Sequence, residues 1–300
     1  MTPPQPSPSL LPPPSPSLRV TTWPVPVFLL LSAGLHLLAL LAVLRSPGNW
    51  PWALGAVVLN HLAITLLGLW PRSNWLGDNI TRLPAEAAAR GEIALTLDDG
   101  PDPVLTPQVL DQLDAAGVQA TFFVIAERAA AHPALLREIV RRGHSVQNHS
   151  WRHPHAFSVF GPRRIASELQ QAQAFLHAST GERPTLFRAP AGLRNVFLGP
   201  LLHRMGLRLA SWTRRGFDTR DGDAQRVLAR LTRGLRGGDI LLLHDGHCAS
   251  TPDGQPVVLA VLPLLIAQAQ QAGLRFVRLS DAWPAQPQPA LAAVNATVTP

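Results

Sequence analysis

Two aspartates stand side by side in LTLDDGP, residues 95–101, at the end of a short apolar run, and two histidines stand four apart in NHSWRHPH, residues 148–155. Adjacent carboxylates repel, and beside an apolar core each costs desolvation energy unless something positive sits with them. A turn before Gly100-Pro101 would account for the aspartates alone, and a solvated helix face for the histidines alone. Taken together they suggest more. On one turn of helix His149 and His153 would point the same way and could ligate one ion. One carboxylate with two neutral imidazoles makes a three-ligand site open for water, the type divalent zinc uses in hydrolysis, and leaves the second aspartate free as a base.

The composition narrows the alternatives. With a single cysteine, Cys248, the chain has no intrachain disulfide and no Cys-rich zinc module, so any metal must rest on His and carboxylate. The formal charge of +7 comes entirely from arginine, scattered along helical patterns with no basic block interleaved with aromatics. That pattern gives no reason to expect nucleic acid.

The elements that must position these residues read as an α/β alternation. Strands are predicted at Ile93–Leu97, Ala120–Ile125, Ser145–Gln147, Thr185–Phe187, Leu207–Ser211, Ile240–Leu243 and Arg275–Val277. Helices are predicted at Val104–Ala116, Pro133–Arg142, Arg163–Ala178, Val196–Met205, Ala224–Leu235 and Val257–Ala272. Such alternation implies parallel strands covered by helices. Asp98 and Asp99 follow the first strand, His149 the third, Arg188 the fourth, Asp218 the fifth and His244 the sixth. Chemistry collected at the C-terminal ends of several strands favours a barrel over an open doubly wound sheet.

Ahead of this domain, Val27–Leu44 and Trp52–Trp70 are uncharged apolar runs, each about the length that spans a bilayer core of roughly 30 Å. A Pro- and Ser-rich start and a second apolar run fit a membrane hairpin better than a cleaved signal peptide. His36, Asn60 and His61 weaken both spans, while Trp50, Trp52 and Trp70 sit where interfacial rings are favoured. The organisation is therefore 1–24 disordered, 25–72 two transmembrane helices, 73–91 linker, 92–282 catalytic domain and 283–300 disordered tail. Arg72, Arg82 and Arg90 after the second span outnumber Arg45 in the connecting loop, which puts both termini in the cytoplasm.

TLDDGP at 96–101, HSWRH at 149–153, RAPAG at 188–192, Asp218 and LLH at 242–244 resemble, in order, the motifs of the polysaccharide deacetylases, the NodB-homology carbohydrate esterases. The resemblance spans Glu92 to Ser280 and implies a deformed (β/α) barrel. It implies a bacterial enzyme in which Asp99, His149 and His153 hold a divalent metal, zinc first, with cobalt, nickel or manganese as alternatives. It implies Asp98 as general base paired with Arg188, His244 as general acid oriented by Asp218, the Ala191 N–H on the oxyanion, and Leu242 or Leu243 against the acetyl methyl.

Three departures bear on substrate. Ala191 replaces an aromatic, Arg215 stands where the family has an acid, and Asp221 competes with Asp218 for its role. Arg214 and Arg215 suggest an anionic partner such as a lipid phosphate. The expected activity is N-deacetylation of N-acetylhexosamine in a polysaccharide or lipid-linked glycan, with the bilayer as the other partner and no obligate protein partner. An O-acetyl esterase or an N-deformylase would use the same residues, and a membrane sugar-binding protein that keeps the fold without turnover is the non-enzymatic alternative. The sequons at Asn79, Asn148 and Asn295 are read as chance.

Overall fold

The computed structural model describes residues 22–283; the remainder of the Pro- and Ser-rich start and of the tail, with Asn295, lies outside the described residues. The helices are α1 Val27–Arg45, α2 Trp50–Leu69, α3 Ala85–Ala89, α4 Leu105–Ala115, α5 Ala126–Ala131, α6 Pro133–Arg141, α7 Pro162–Thr180, α8 Leu198–Met205, α9 Ala224–Thr232 and α10 Val257–Gln271. The strands are β1 Glu92–Asp98, β2 Thr121–Val124, β3 Ser145–Asn148, β4 Leu186–Phe187, β5 Arg208–Leu209, β6 Arg214–Arg215, β7 Ile240–His244 and β8 Arg275–Phe276.

Helices α1 and α2 pack on each other and are long and apolar enough to cross a membrane. The polar residues that weaken them as spans meet between them: Asn60 Nδ2 donates to Ser32 Oγ at 2.7 Å, and His36 Nε2 lies 3.3 Å from His61 Nε2. Polar groups paired across a helix hairpin avoid the cost of facing hydrocarbon alone.

The strands form one parallel sheet in the order β5-β4-β3-β2-β1-β7-β6, with β8 beside the start of β1, curled into an open barrel. Buried on both faces, β1 and β7 are almost continuously apolar, as parallel strands covered by helices must be. Alternation sorts their side chains. Ile93, Leu95 and Leu97 pack outward into the helix layer with Leu110, Leu113 and Leu262, whereas Ala94 packs with Phe123, Trp212 and Leu242 inside the curl. Thr96 and Asp98 share the parity of Ala94, and both meet Arg188 in the interior.

The segment 73–91, expected to be a linker, is part of the barrel. Ile80 donates its N–H to Leu209 O at 2.9 Å and accepts from Ser211 N–H at 2.8 Å, while Thr213 Oγ1 donates to Thr81 O at 2.6 Å. This segment lies between β5 and β6 and contains α3. Strand β6 was not expected either, because two adjacent arginines carry no apolar signal. Asn79 and Asn148 are buried and hydrogen-bonded inside the fold, which leaves no room for a glycan on either.

Candidate active site

Strand β1 delivers two carboxylates to the C-terminal mouth of the barrel. Asp98, the last residue of the strand, points inward, and Asp99 adopts a left-handed backbone with φ of 72° that turns its side chain toward the loop after β3. That loop carries the histidines. Contrary to expectation they do not sit on a helix: Ser150 and His153 have φ of 68° and 53°, and these turns fold the chain back on itself. Asn148 Oδ1 accepts from Ser150 N–H at 2.8 Å and Ser150 Oγ accepts from His153 N–H at 2.9 Å, which fixes the loop and brings the two rings to 4.7 Å between centroids.

Asp99 Oδ1 lies 3.3 Å from His149 Nε2 and 3.3 Å from His153 Nε2. Donors bound tetrahedrally at about 2.05 Å from one shared ion stand roughly 3.3 Å apart. The fit extends further: Asp99 Oδ1 is buried with no hydrogen-bond partner, an arrangement expensive to keep without a cation. His149 Nδ1 donates to Arg188 O at 2.8 Å, so its Nε2 keeps the lone pair a metal needs. Burial opposes the charge on Asp99, but the neighbouring imidazoles of His149, His153 and His244 hold its pKa below the usual carboxylate range. Burial and the neighbouring His149 push His153 down to about 4, so it is neutral and able to ligate.

Arg188 is fully buried in the interior. Its Nη1 donates to Asp98 Oδ1 at 2.6 Å and to Thr96 Oγ1 at 2.8 Å, its Nε to Ala210 O at 3.2 Å and its Nη2 to Ser211 O at 2.8 Å. The guanidinium stacks 4.0 Å over Phe123. Burial lowers its pKa and Asp98 counteracts this. The other Asp98 oxygen, Oδ2, lies 3.8 Å from His149 Nε2 and beside the candidate metal position.

His244 ends β7 directly across the register from Asp98. Asp218 grips it twice, Oδ2 accepting from the His244 N–H at 2.8 Å and Oδ1 lying 3.0 Å from Nδ1. Burial lowers the His244 pKa, but Asp218, followed by Asp98 and Asp99, raises it above the ordinary value. Asp221 instead pairs with Arg226 and Arg230 on α9. Ala191, in the 3₁₀ turn Pro190–Gly192, has φ of 55°, is exposed, and gives its N–H to no acceptor among the described residues.

Two expectations need correction. Leu243 faces outward against Val227 and Leu231; strand alternation gives the interior position beside His244 to Leu242. Arg214 is committed within the fold, to Asp239 at 2.6 Å and to the carbonyls of Arg233 and Gly234, and is not free for a lipid phosphate. Arg215 lies 5.4 Å from the Trp212 ring and 5.1 Å from the Phe217 ring. Thr96, Trp212 and Asp245 escaped the sequence. Asp245, fully buried and bonded to Thr106 Oγ1 at 2.6 Å, has its pKa pushed up to about 7 by that burial. Only its place directly after His244 hinted at it.

The profile of the family described as polysaccharide deacetylase matches residues 85–210. A peptidoglycan-N-acetylglucosamine deacetylase of Bacillus cereus is 31% identical over 191 residues, covering 63% of this chain and 86% of the relative. A chitooligosaccharide deacetylase of Sinorhizobium fredii is 33% identical over 170 residues, covering 56% and 79%. Among solved structures, a family 4 acetyl xylan esterase from Clostridium thermocellum in complex with a cobalt ion is 31% identical with a TM-score of 0.56, over 65% of this chain and 94% of that one.

Proposed function

The chain belongs to the polysaccharide deacetylase family, and from that premise we propose a membrane-anchored, divalent-metal-dependent hydrolase that removes N-acetyl groups from N-acetylglucosamine units of a glycan. The observation that carries the reading is the gathering at one barrel mouth of an Asp99–His149–His153 donor set, an arginine-paired Asp98 and an aspartate-held His244. Zinc suits an O,N,N donor set, and the cobalt in the esterase relative fits the same chemistry.

An amide needs an activated water, a stabilised oxyanion and a proton for its nitrogen. Asp99, His149 and His153 would hold a divalent ion, which when bound would supply Lewis acidity for this hydrolysis. Asp98 takes the water proton on Oδ2 while its Oδ1 remains fixed by Arg188, and the water oxygen bonds to the carbonyl carbon. The free Ala191 N–H donates to the oxygen as it gains charge. His244, with Nδ1 turned to Asp218, gives its Nε2 proton to the sugar nitrogen as the C–N bond breaks, releasing acetate and an amino sugar. Leu242 packs on the acetyl methyl from inside the barrel.

The polar pairing inside the α1/α2 hairpin supports anchoring, and the arginine counts support a cytoplasmic face for the domain. O-deacetylation is the second reading, favoured by the likeness to an acetyl xylan esterase. Product analysis with N-acetylated, O-acetylated and N-formylated sugars tests both. Asp98→Asn is expected to keep metal and lose turnover, and His149→Ala to lose both. Equal metal loss in the two variants would contradict the division of roles.

A further inference from the structure

The last turn of α2 is joined to the active-site loop. Arg194, six residues on from Arg188 and so within about 20 Å of it along the chain, donates its N–H to Gly68 O at 3.1 Å. The Arg194 carbonyl packs so closely on Gly68 that a Cβ there would collide. The Arg194 guanidinium donates to Gly77 O at 3.1 Å and to Ser73 O at 2.5 Å. At Gly192, with φ of 75°, a Cβ would stand 2.7 Å from Pro71 and 2.6 Å from Trp212. The start of α1 reaches the same place, since Trp23 packs on Gly77 and on Gly199 in the first turn of α8, and Phe28 meets Trp75 edge-on at 6.1 Å. The open end of the hairpin, the end expected at the lipid–water boundary, therefore abuts the loop that carries Ala191.

Exposed apolar side chains also stand on the loops of the barrel mouth. Beyond residue 75, five large apolar side chains are exposed among the described residues: Val104 71%, Val159 80%, Phe197 43%, Phe217 47% and Leu264 42%. The first four lie on loops following β1, β3, β4 and β6, all at the C-terminal ends of strands. Only Leu264 lies elsewhere, on α10. Asn195 ties two of these loops together by donating to Ser158 O at 3.0 Å and to Phe160 O at 2.9 Å, which holds Val159 beside the Phe197 loop. Val159 and Phe197, exposed on loops tied to each other, stand next to the hairpin end, since Phe197 is three residues from the Arg194 that bonds Gly68 O, and the partner that fits such an apolar edge beside a membrane hairpin is a lipid surface.

We infer that the active-site mouth lies against the bilayer, so that the sugar it deacetylates is carried on a membrane lipid. This rests on the reading of α1 and α2 as membrane spans. A glycolipid diffusing in the plane brings its first sugar to the depth of the mouth, whereas a distant polymer strand would have to enter between the rim and the headgroups.

The test uses the full chain in liposomes, with Cys248→Ala as background and a fluorophore on single cysteines at Leu38, Val159, Phe197, Phe217 and Leu264. Lipids carrying a quencher at the headgroup or on the acyl chain should dim the label at Leu38, Val159, Phe197 and Phe217 and leave that at Leu264 unchanged. Quenching at Leu38 with rim labels as bright as Leu264 would overturn the inference and leave the membrane hairpin standing. No quenching at Leu38 would remove the hairpin reading and this inference with it. In the same liposomes lipid-linked N-acetylglucosamine should be deacetylated faster than soluble chitooligosaccharide at equal concentration, with the advantage lost in Val159→Asp/Phe197→Asp. Equal rates on the two substrates would refute the lipid-borne substrate.

Discussion

Replacing Arg188 by methionine tests how the barrel tolerates a carboxylate at its centre. Arg188 and Asp98 are both buried, and among the described residues the arginine is the only cation in hydrogen-bond contact with Asp98. Methionine fills much of the volume over Phe123 but leaves the carboxylate, Thr96 Oγ1 and the carbonyls of Ala210 and Ser211 without their donor. Breaking a buried pair from one side costs about 3–5 kcal/mol, because the remaining charge is uncompensated. In a domain of about 200 residues each kcal/mol moves the midpoint by roughly 2–4 °C, so a fall of about 6–20 °C is expected. Thermal unfolding of the detergent-solubilised chain, stripped of metal, measures it. The double variant Asp98→Asn/Arg188→Met should be more stable than Arg188→Met alone, since no charge is then stranded. If the second substitution lowers the midpoint further by its own single-variant amount, the pair is not coupled and the argument fails. Arg188→Lys should fall between, as an ammonium can reach Asp98 but cannot present a planar fork to two carbonyls and a hydroxyl together.

Asp218→Asn should move the basic limb of the pH–rate profile to lower pH: the required acid is protonated His244, activity is lost as pH rises through its raised pKa, and Asp218 is the main group raising it. Asp221→Asn should leave that limb in place, and a shift equal to that of Asp218→Asn would point to the other aspartate. Leu242→Ala should alter the preference between acetyl and longer acyl groups, whereas Leu243→Ala should cost about 2–5 kcal/mol of stability with acyl preference unchanged; rates on an acyl series and denaturation read the two. Gly100→Ala should destabilise by about 1–3 kcal/mol, because a Cβ there would run into the Asp245 carboxylate, and a melting curve matching the parent would show that this contact relaxes.

Much of this molecule was legible in the one-dimensional chain. Apolar runs of four to seven residues mark β1, β2 and β7 because strands buried on both faces admit little else. Asp98, Asp99, Arg188 and His244 could be singled out because each ends or follows such a run, and the C-terminal ends of barrel strands converge. Local alternation would also have given Leu242 in place of Leu243, since a residue two before an inward His244 must itself point inward. The remainder depended on contacts distant in sequence. His149 and His153 meet through left-handed turns that the spacing of four did not reveal. Asp218 prevails over Asp221 because the loop after β6 turns one carboxylate to His244 and leaves the other to α9. Strand β6 exists by pairing with β7, and the segment around Ile80 closes the gap at β5 although nothing in its composition marks it as barrel wall. Periodicity reports how a side chain is shared between core and solvent within one element; which elements meet at a gap, and what lies at the mouth they form, is settled by packing across more than a hundred residues of chain.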